Sequence, residues 1–252
     1  MRHALTILAI VALAGAAWAD WQSGDPFKMH FPQLPDPTGY DIDMTKYTLA
    51  DDWMCTQTGP VSGIHFWYSV RGDFGQLPVP QIAAVNVSIH SDIPVRPGGY
   101  SIPGALLGSW KFDATQFRIA GPWPGQQGWD TPEPFSNCEP NNHVLYWQLN
   151  IPRISDPVIQ QEGKVYWLDL NVVPVPTPAA PLEIGWKTSR EHFRDWAVYS
   201  VPTAPGGWEM ISVCTANSPT DLAFVVTPEP ATMALLGLGG LGMLIRWRRS
   251  RL

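Results

Sequence analysis

The sequence predicts an all-β fold, a single β-sandwich of jelly-roll type, and three observations carry that expectation. Apolar residues recur with a period close to two and almost nowhere with the period of a helix. The apolar runs are short, and most of the 26 prolines fall between them. The body, residues 20–226, has the size of one all-β domain and shows neither an internal repeat nor a second domain.

Element by element, VSGIHFWYSV (61–70) is the first clear strand. IAAVNVSIHS (82–91) puts Val85, Val87 and Ile89 on one face and Asn86, Ser88 and His90 on the other, which predicts a half-buried strand. HVLYWQLNI (143–151), KVYWLDLNVVPV (164–175), LEIGWKT (182–188), WEMISV (208–213) and DLAFVV (221–226) follow the same rule. Between them RGDFG, RPGGY and TAPGGW supply turn residues, Gly for unusual dihedrals and Pro for a fixed φ. SREHFRDW (189–196) predicts one short helical turn, and GPWPGQQGWDTPEPFSNCEPNN (121–142) a long connection.

Both ends read as targeting segments. Arg2 and His3 precede an apolar stretch, Ala4 to Ala17, and Ala17-Trp18-Ala19 fits a small-x-small cleavage site, so residues 1–19 are expected to be a signal peptide. Near the other end, Ala231 to Ile245 carries no charge and as a helix would rise about 22 Å, short against a hydrocarbon core of about 30 Å. Trp247 at the interface, with Arg246, Arg248, Arg249 and Arg251 reaching the headgroups, makes a short transmembrane helix over about 231–247 the expectation, arginines on the cytoplasmic side. The body then lies outside the inner membrane.

Thr227-Pro228-Glu229-Pro230, a short apolar segment and a terminal arginine cluster together resemble the PEP-CTERM protein-sorting signal of exported Gram-negative proteins. TPEPF at 131–135 repeats the tripeptide without the apolar run, so the context decides. The resemblance covers residues 227–252 and implies Pro228, Glu229 and Pro230 as the tripeptide recognised by an exosortase-type processing enzyme, inner-membrane anchoring until processing, and delivery to the cell surface or outside the cell, in company with exopolysaccharide. Two prolines forbid helix at the membrane boundary and leave an extended segment for a protease. LADDWMCTQTGPVSGIHFWYS, GWKTSREHFRDWAVY and DLAFVV resemble blocks of an uncharacterised domain of exported bacterial proteins, which implies a sandwich and no established activity.

Residues 20–226 hold 11 Lys plus Arg against 21 Asp plus Glu, a net charge of −10. That excludes nucleic acid as a partner, since no basic patch meets the phosphates. Cys55, Cys138 and Cys214 enter a compartment that permits one disulfide and leaves one thiol over; the pairing is not readable from spacing.

No catalytic residue is expected. The body's histidines, His30, His65, His90, His143 and His192, sit in no metal or nucleophile motif, and Glu133, Glu139, Glu183, Glu191 and Glu209 could form a hydrolase pair only through the fold. No cofactor is expected beyond calcium, for which Asp41, Asp43, Asp51 and Asp52 in DIDMTKYTLADD form an oxygen-rich candidate without the EF-hand pattern. Trp123, Trp129 and Phe135, with amides beside them, are the candidate platform for a sugar. The reading is thus an exported, non-catalytic structural or adhesive component of the cell surface or matrix. The alternatives are a carbohydrate-binding module using 121–142 and an extracellular polysaccharide-active enzyme.

Overall fold

The computed structural model describes residues 20–75, 77, 81–95, 99–132, 138–177, 181–214 and 220–228. The signal peptide, the apolar tail with its arginines, Glu229, Pro230 and Phe135 lie outside the described residues. Among the described residues no helix is long and apolar enough to cross a membrane.

A little over half of the described chain is strand and almost none of it is helix. In order these are β1 (Tyr40–Asp43), β2 (Leu49–Met54), β3 (Gly59–Pro60), β4 (Gly63–Val70), β5 (Ile82–Ile93), β6 (Ile102–Asp113), β7 (Arg118–Asp130), β8 (Glu139–Ile151), β9 (Ile159–Gln160), β10 (Val165–Pro174), β11 (Ile184–Ser189), β12 (Val198–Ser200), β13 (Trp208–Met210), β14 (Asp221–Leu222) and β15 (Phe224–Thr227). Six form an antiparallel sheet in the order β13-β12-β2-β10-β5-β6. Seven form a second sheet, β14-β11-β1-β7-β8-β4-β15, in which β1 and β7 run parallel. β3 and β9 pair separately.

The two sheets pack through one apolar core, as the sandwich expectation requires. Ile64, Phe66, Tyr68 and Val70 of β4 alternate into it, and Val85, Val87 and Ile89 of β5 meet Leu168, Leu170 and Val172 of β10. The less buried side of β5, Asn86, Ser88 and His90, is the one predicted.

Three expectations are corrected. β11 also pairs with β4, Gly185 opposite Ser69, so β11, β1, β7, β8 and β4 close into a five-stranded barrel beside the sandwich core. The connection expected over 121–142 is mostly strand: β7 and β8 occupy both ends, with register shifts absorbing the Pro and Gly residues. The helical turn expected at 189–196 is absent, because Asp221 accepts from the Phe193 N–H and His192 and holds the segment open. Among the described residues the one short 3₁₀ turn is Pro205–Gly207.

Candidate functional site

The face of β4 turned away from the sandwich core is buried too, His65, Trp67 and Ser69 included, because it lines the barrel. Asp41 of β1, Ser69 of β4, Gln127 and Trp129 of β7, His143 of β8 and Lys187 of β11 are all buried there. Their contacts skip neighbouring strands. Lys187 reaches past β1 to Gln127 Oε1, and its Nζ lies 5.3 Å from the Tyr146 ring centre. His143 reaches past β7 to Asp41, Nε2 to Oδ2 3.0 Å. The closed sheet curves these inward side chains toward one another and brings them into contact past the intervening strand.

Lys187 Nζ also donates to Asp41 Oδ2 at 3.2 Å. Burial pushes the Asp41 carboxyl up, but Lys187 and His143 together outweigh it and hold the acid below its usual range. For Lys187 the balance goes the other way: burial outweighs Asp41 and loosens the ammonium's hold on its proton. The lumen therefore contains a carboxylate kept ionised and an amine eased toward neutrality, in contact.

Outside this lumen lies a charged rim. Arg71 bonds both Glu139 and Glu183, Lys46 bonds Glu183, and the Arg71 guanidinium carbon sits 6.0 Å from the Trp129 ring centre. The Cys138–Cys214 disulfide, Cα atoms 5.3 Å apart, fastens the start of β8 to the segment after β13, and Cys55 is the buried free thiol. Asp20 and Trp21 run against Gln148 and Asn150, with Trp21 edge-on to Trp67 at 6.1 Å.

The residues expected from sequence fall differently from the way they were grouped. Trp129 is fully buried and cannot serve an exposed platform; only Trp123 of the described pair is open, 38% exposed, tilted against Tyr146 at 5.7 Å. The four calcium candidates do not converge. Asp41 belongs to Lys187 and His143, and Asp43 accepts from the backbone of Thr45 and Lys46. Asp51 and Asp52, adjacent on β2, point to opposite faces of their sheet. Asp51 accepts from Gln33, from the Asp52 N–H and from the Leu222 N–H. Asp52 shares its face with Trp167 and Asp92, both its oxygens are buried without a partner, and its carboxyl is pushed up to about 10 by burial and by Asp51, Asp221, Asp195 and Asp92. Among the described residues the His, Cys, Asp and Glu group compact enough to hold a metal is Asp130, Cys138 and Cys214, whose two sulfurs are already bonded to each other.

Residues 29–227 match the model of a domain of unknown function, DUF7901. The chain belongs to the DUF7901 family. Residues 226–249 match the PEP-CTERM protein-sorting motif, so the DUF7901 domain is followed directly by the recognition signal for exosortase processing, which marks proteins exported to the cell surface. No curated protein and no solved structure matches the chain. Sequence reasoning missed Lys187, Asp221 and Asp195, and placed Gln127 only among the amides beside the candidate sugar platform; a Lys at an alternating position in LEIGWKT was the one local signal.

Proposed function

We propose that the DUF7901 domain is a non-catalytic structural or adhesive component of the cell surface or extracellular matrix. In this reading residues 1–19 direct export, the segment 231–247 holds the chain in the inner membrane, and an exosortase-type enzyme acts near Pro228-Glu229-Pro230 before release. The observation that supports it is β6, a 12-residue strand at the edge of its sheet with Leu106 59% and Leu107 44% exposed. A long apolar edge is a template for pairing with another chain, and proteins that stay single blunt such edges with charge or proline. In β6 such residues stand only toward its ends, Pro103 at the start and Lys111 and Asp113 at the finish, and leave Gly104 to Trp110 without either. The test is retention of the full chain in the surface fraction of an exporting Gram-negative host. Leu106→Lys with Leu107→Lys should release it into the medium, and unchanged retention of the folded double variant would sink the reading.

A second reading, carbohydrate binding, draws on Trp123, exposed and tilted against the half-buried Tyr146 of the adjacent strand. Saturable quenching of tryptophan fluorescence by a neutral or acidic polysaccharide, lost in Trp123→Ala, would favour it; exopolysaccharide is the partner it names.

A further inference from the structure

The Lys187 amine is enclosed. Its side chain is fully buried, and its two acceptors, Asp41 Oδ2 and Gln127 Oε1, are held in place by other bonds. Gln127 Nε2 donates to Gly125 O at 2.8 Å, which turns the amide so that its carbonyl faces Lys187. Asp41 Oδ2 is fixed by His143, and the Ser69 hydroxyl also faces that carboxyl.

A lysine becomes a nucleophile when desolvation frees its lone pair, and a fixed neighbouring electrophile raises the effective concentration by orders of magnitude. Both conditions hold in the lumen. Burial favours the neutral amine, and Asp41 is a base in contact with it. Of the two carbonyl carbons within reach, that of Asp41 belongs to an ionised carboxylate and resists attack, whereas that of Gln127 belongs to a neutral amide whose oxygen already touches the amine.

We propose that Lys187 and Gln127 join in an intramolecular isopeptide bond that staples β11 to β7 across the barrel. Nζ of the neutral lysine adds to Cδ of Gln127; Asp41 Oδ2 takes a proton from the attacking nitrogen and returns it to Nε2. The Cδ–Nε2 bond then breaks and ammonia leaves. The product is a secondary amide between the two side chains, with Asp41 unchanged, and the step consumes no oxidant, reductant or cofactor. β11 and β7 are not hydrogen-bonded neighbours, since β1 lies between them, so the bond would secure the barrel closure independently of the Cys138–Cys214 disulfide.

The test is peptide mapping of the full chain purified from an exporting host, where an unreduced digest containing the Cys138–Cys214 bond certifies folding. After reduction of the digest, a single species is expected that contains the peptides of Lys187 and Gln127, lighter than their sum by one ammonia and uncleaved by trypsin after Lys187. It should be missing from Lys187→Arg. Recovery of the two wild-type peptides separately and at unmodified mass overturns the proposal, as does a species lighter by one water with Asp41 as the attachment point. Because the wild-type chain decides the outcome, a variant that fails to fold does not obscure it.

Discussion

The Trp129 indole rests directly on the α-carbon of Gly185, across the barrel and past β1: a β-carbon at position 185 would stand 2.7 Å from Trp129 Cζ3 and 2.8 Å from the Asp41 β-carbon. Neither neighbour has room to retreat, because Trp129 is fully buried and Asp41 is tied to His143 and Lys187. Gly185→Ala is therefore expected to lower stability by about 1–3 kcal/mol, the usual cost of overpacking a closed interior. Denaturant midpoints of wild type and variant at pH 7 check it; an unchanged midpoint would mean that the barrel is looser than the contact implies.

The two candidate tryptophans should separate cleanly. Trp129→Ala empties a fully enclosed site and is expected to cost about 3–5 kcal/mol. Trp123, 38% exposed, should cost about 1 kcal/mol or less when cut back to alanine. Unfolding of both variants followed by circular dichroism gives the comparison, and equal losses would place Trp123 in the packed interior as well.

Stability should fall as pH rises through neutrality. Asp52 is held protonated in the fold, its carboxyl raised to about 10, while in the unfolded chain an aspartate ionises at about 4. Between those values the folded state binds a proton that the unfolded state lacks, so stabilisation complete below the lower value is lost progressively toward the upper one. Asp221, raised to about 8 mainly by burial with Asp195 adding to it, has the same sign, and so does His90, raised by Asp169 against the opposing effect of burial. His30, lowered to about 4 by burial and Arg194, and His65, lowered by burial, act in the opposite sense, but only below about pH 6.5. Lys187, lowered by burial, opposes the decline above neutrality, so the carboxyl contribution is read from the difference between wild type and Asp52→Asn in melting temperatures across pH 7 to 9. Asp52→Asn should flatten the decline and melt above wild type at the alkaline end; a parallel decline would show that Asp52 ionises normally.

What could be read in advance was local. β4, β5, β8 and β10 declare themselves because one face meets the core at every second residue, and tryptophan at positions 53, 67, 147 and 167 is core, as its surroundings suggest. β6 and β7 were obscured by their composition, IPGALLGSWKFD and RIAGPWPGQQGWD, in which Gly and Pro signal turns; bulges let the chain stay in the sheet. The barrel was out of reach for a different reason. Its closure joins Gly185 to Ser69, and its charge network joins Asp41 to Lys187 across 146 positions, so no local period records either. The aspartates of 41–52 looked like one cluster in sequence, but strand pleating and two different sheets send them apart.

The cysteine pairing, open on the sequence, gives the last prediction. Cys138 and Cys214 enclose a sequence separation of 76, and chain entropy assigns a loop of that size about 4 kcal/mol of destabilisation of the unfolded state. Measured losses usually run at about 2–4 kcal/mol because the open chain keeps some order. Reduction, or Cys138→Ser with Cys214→Ser, should therefore lower the melting temperature substantially. Cys55 is buried and its thiol is pushed up by burial, so it should resist alkylation until the chain unfolds. Thiol counting before and after denaturation, without reductant, should give no reactive thiol and then one. Three reactive thiols in the unfolded sample would show that the pair never forms in the exported protein.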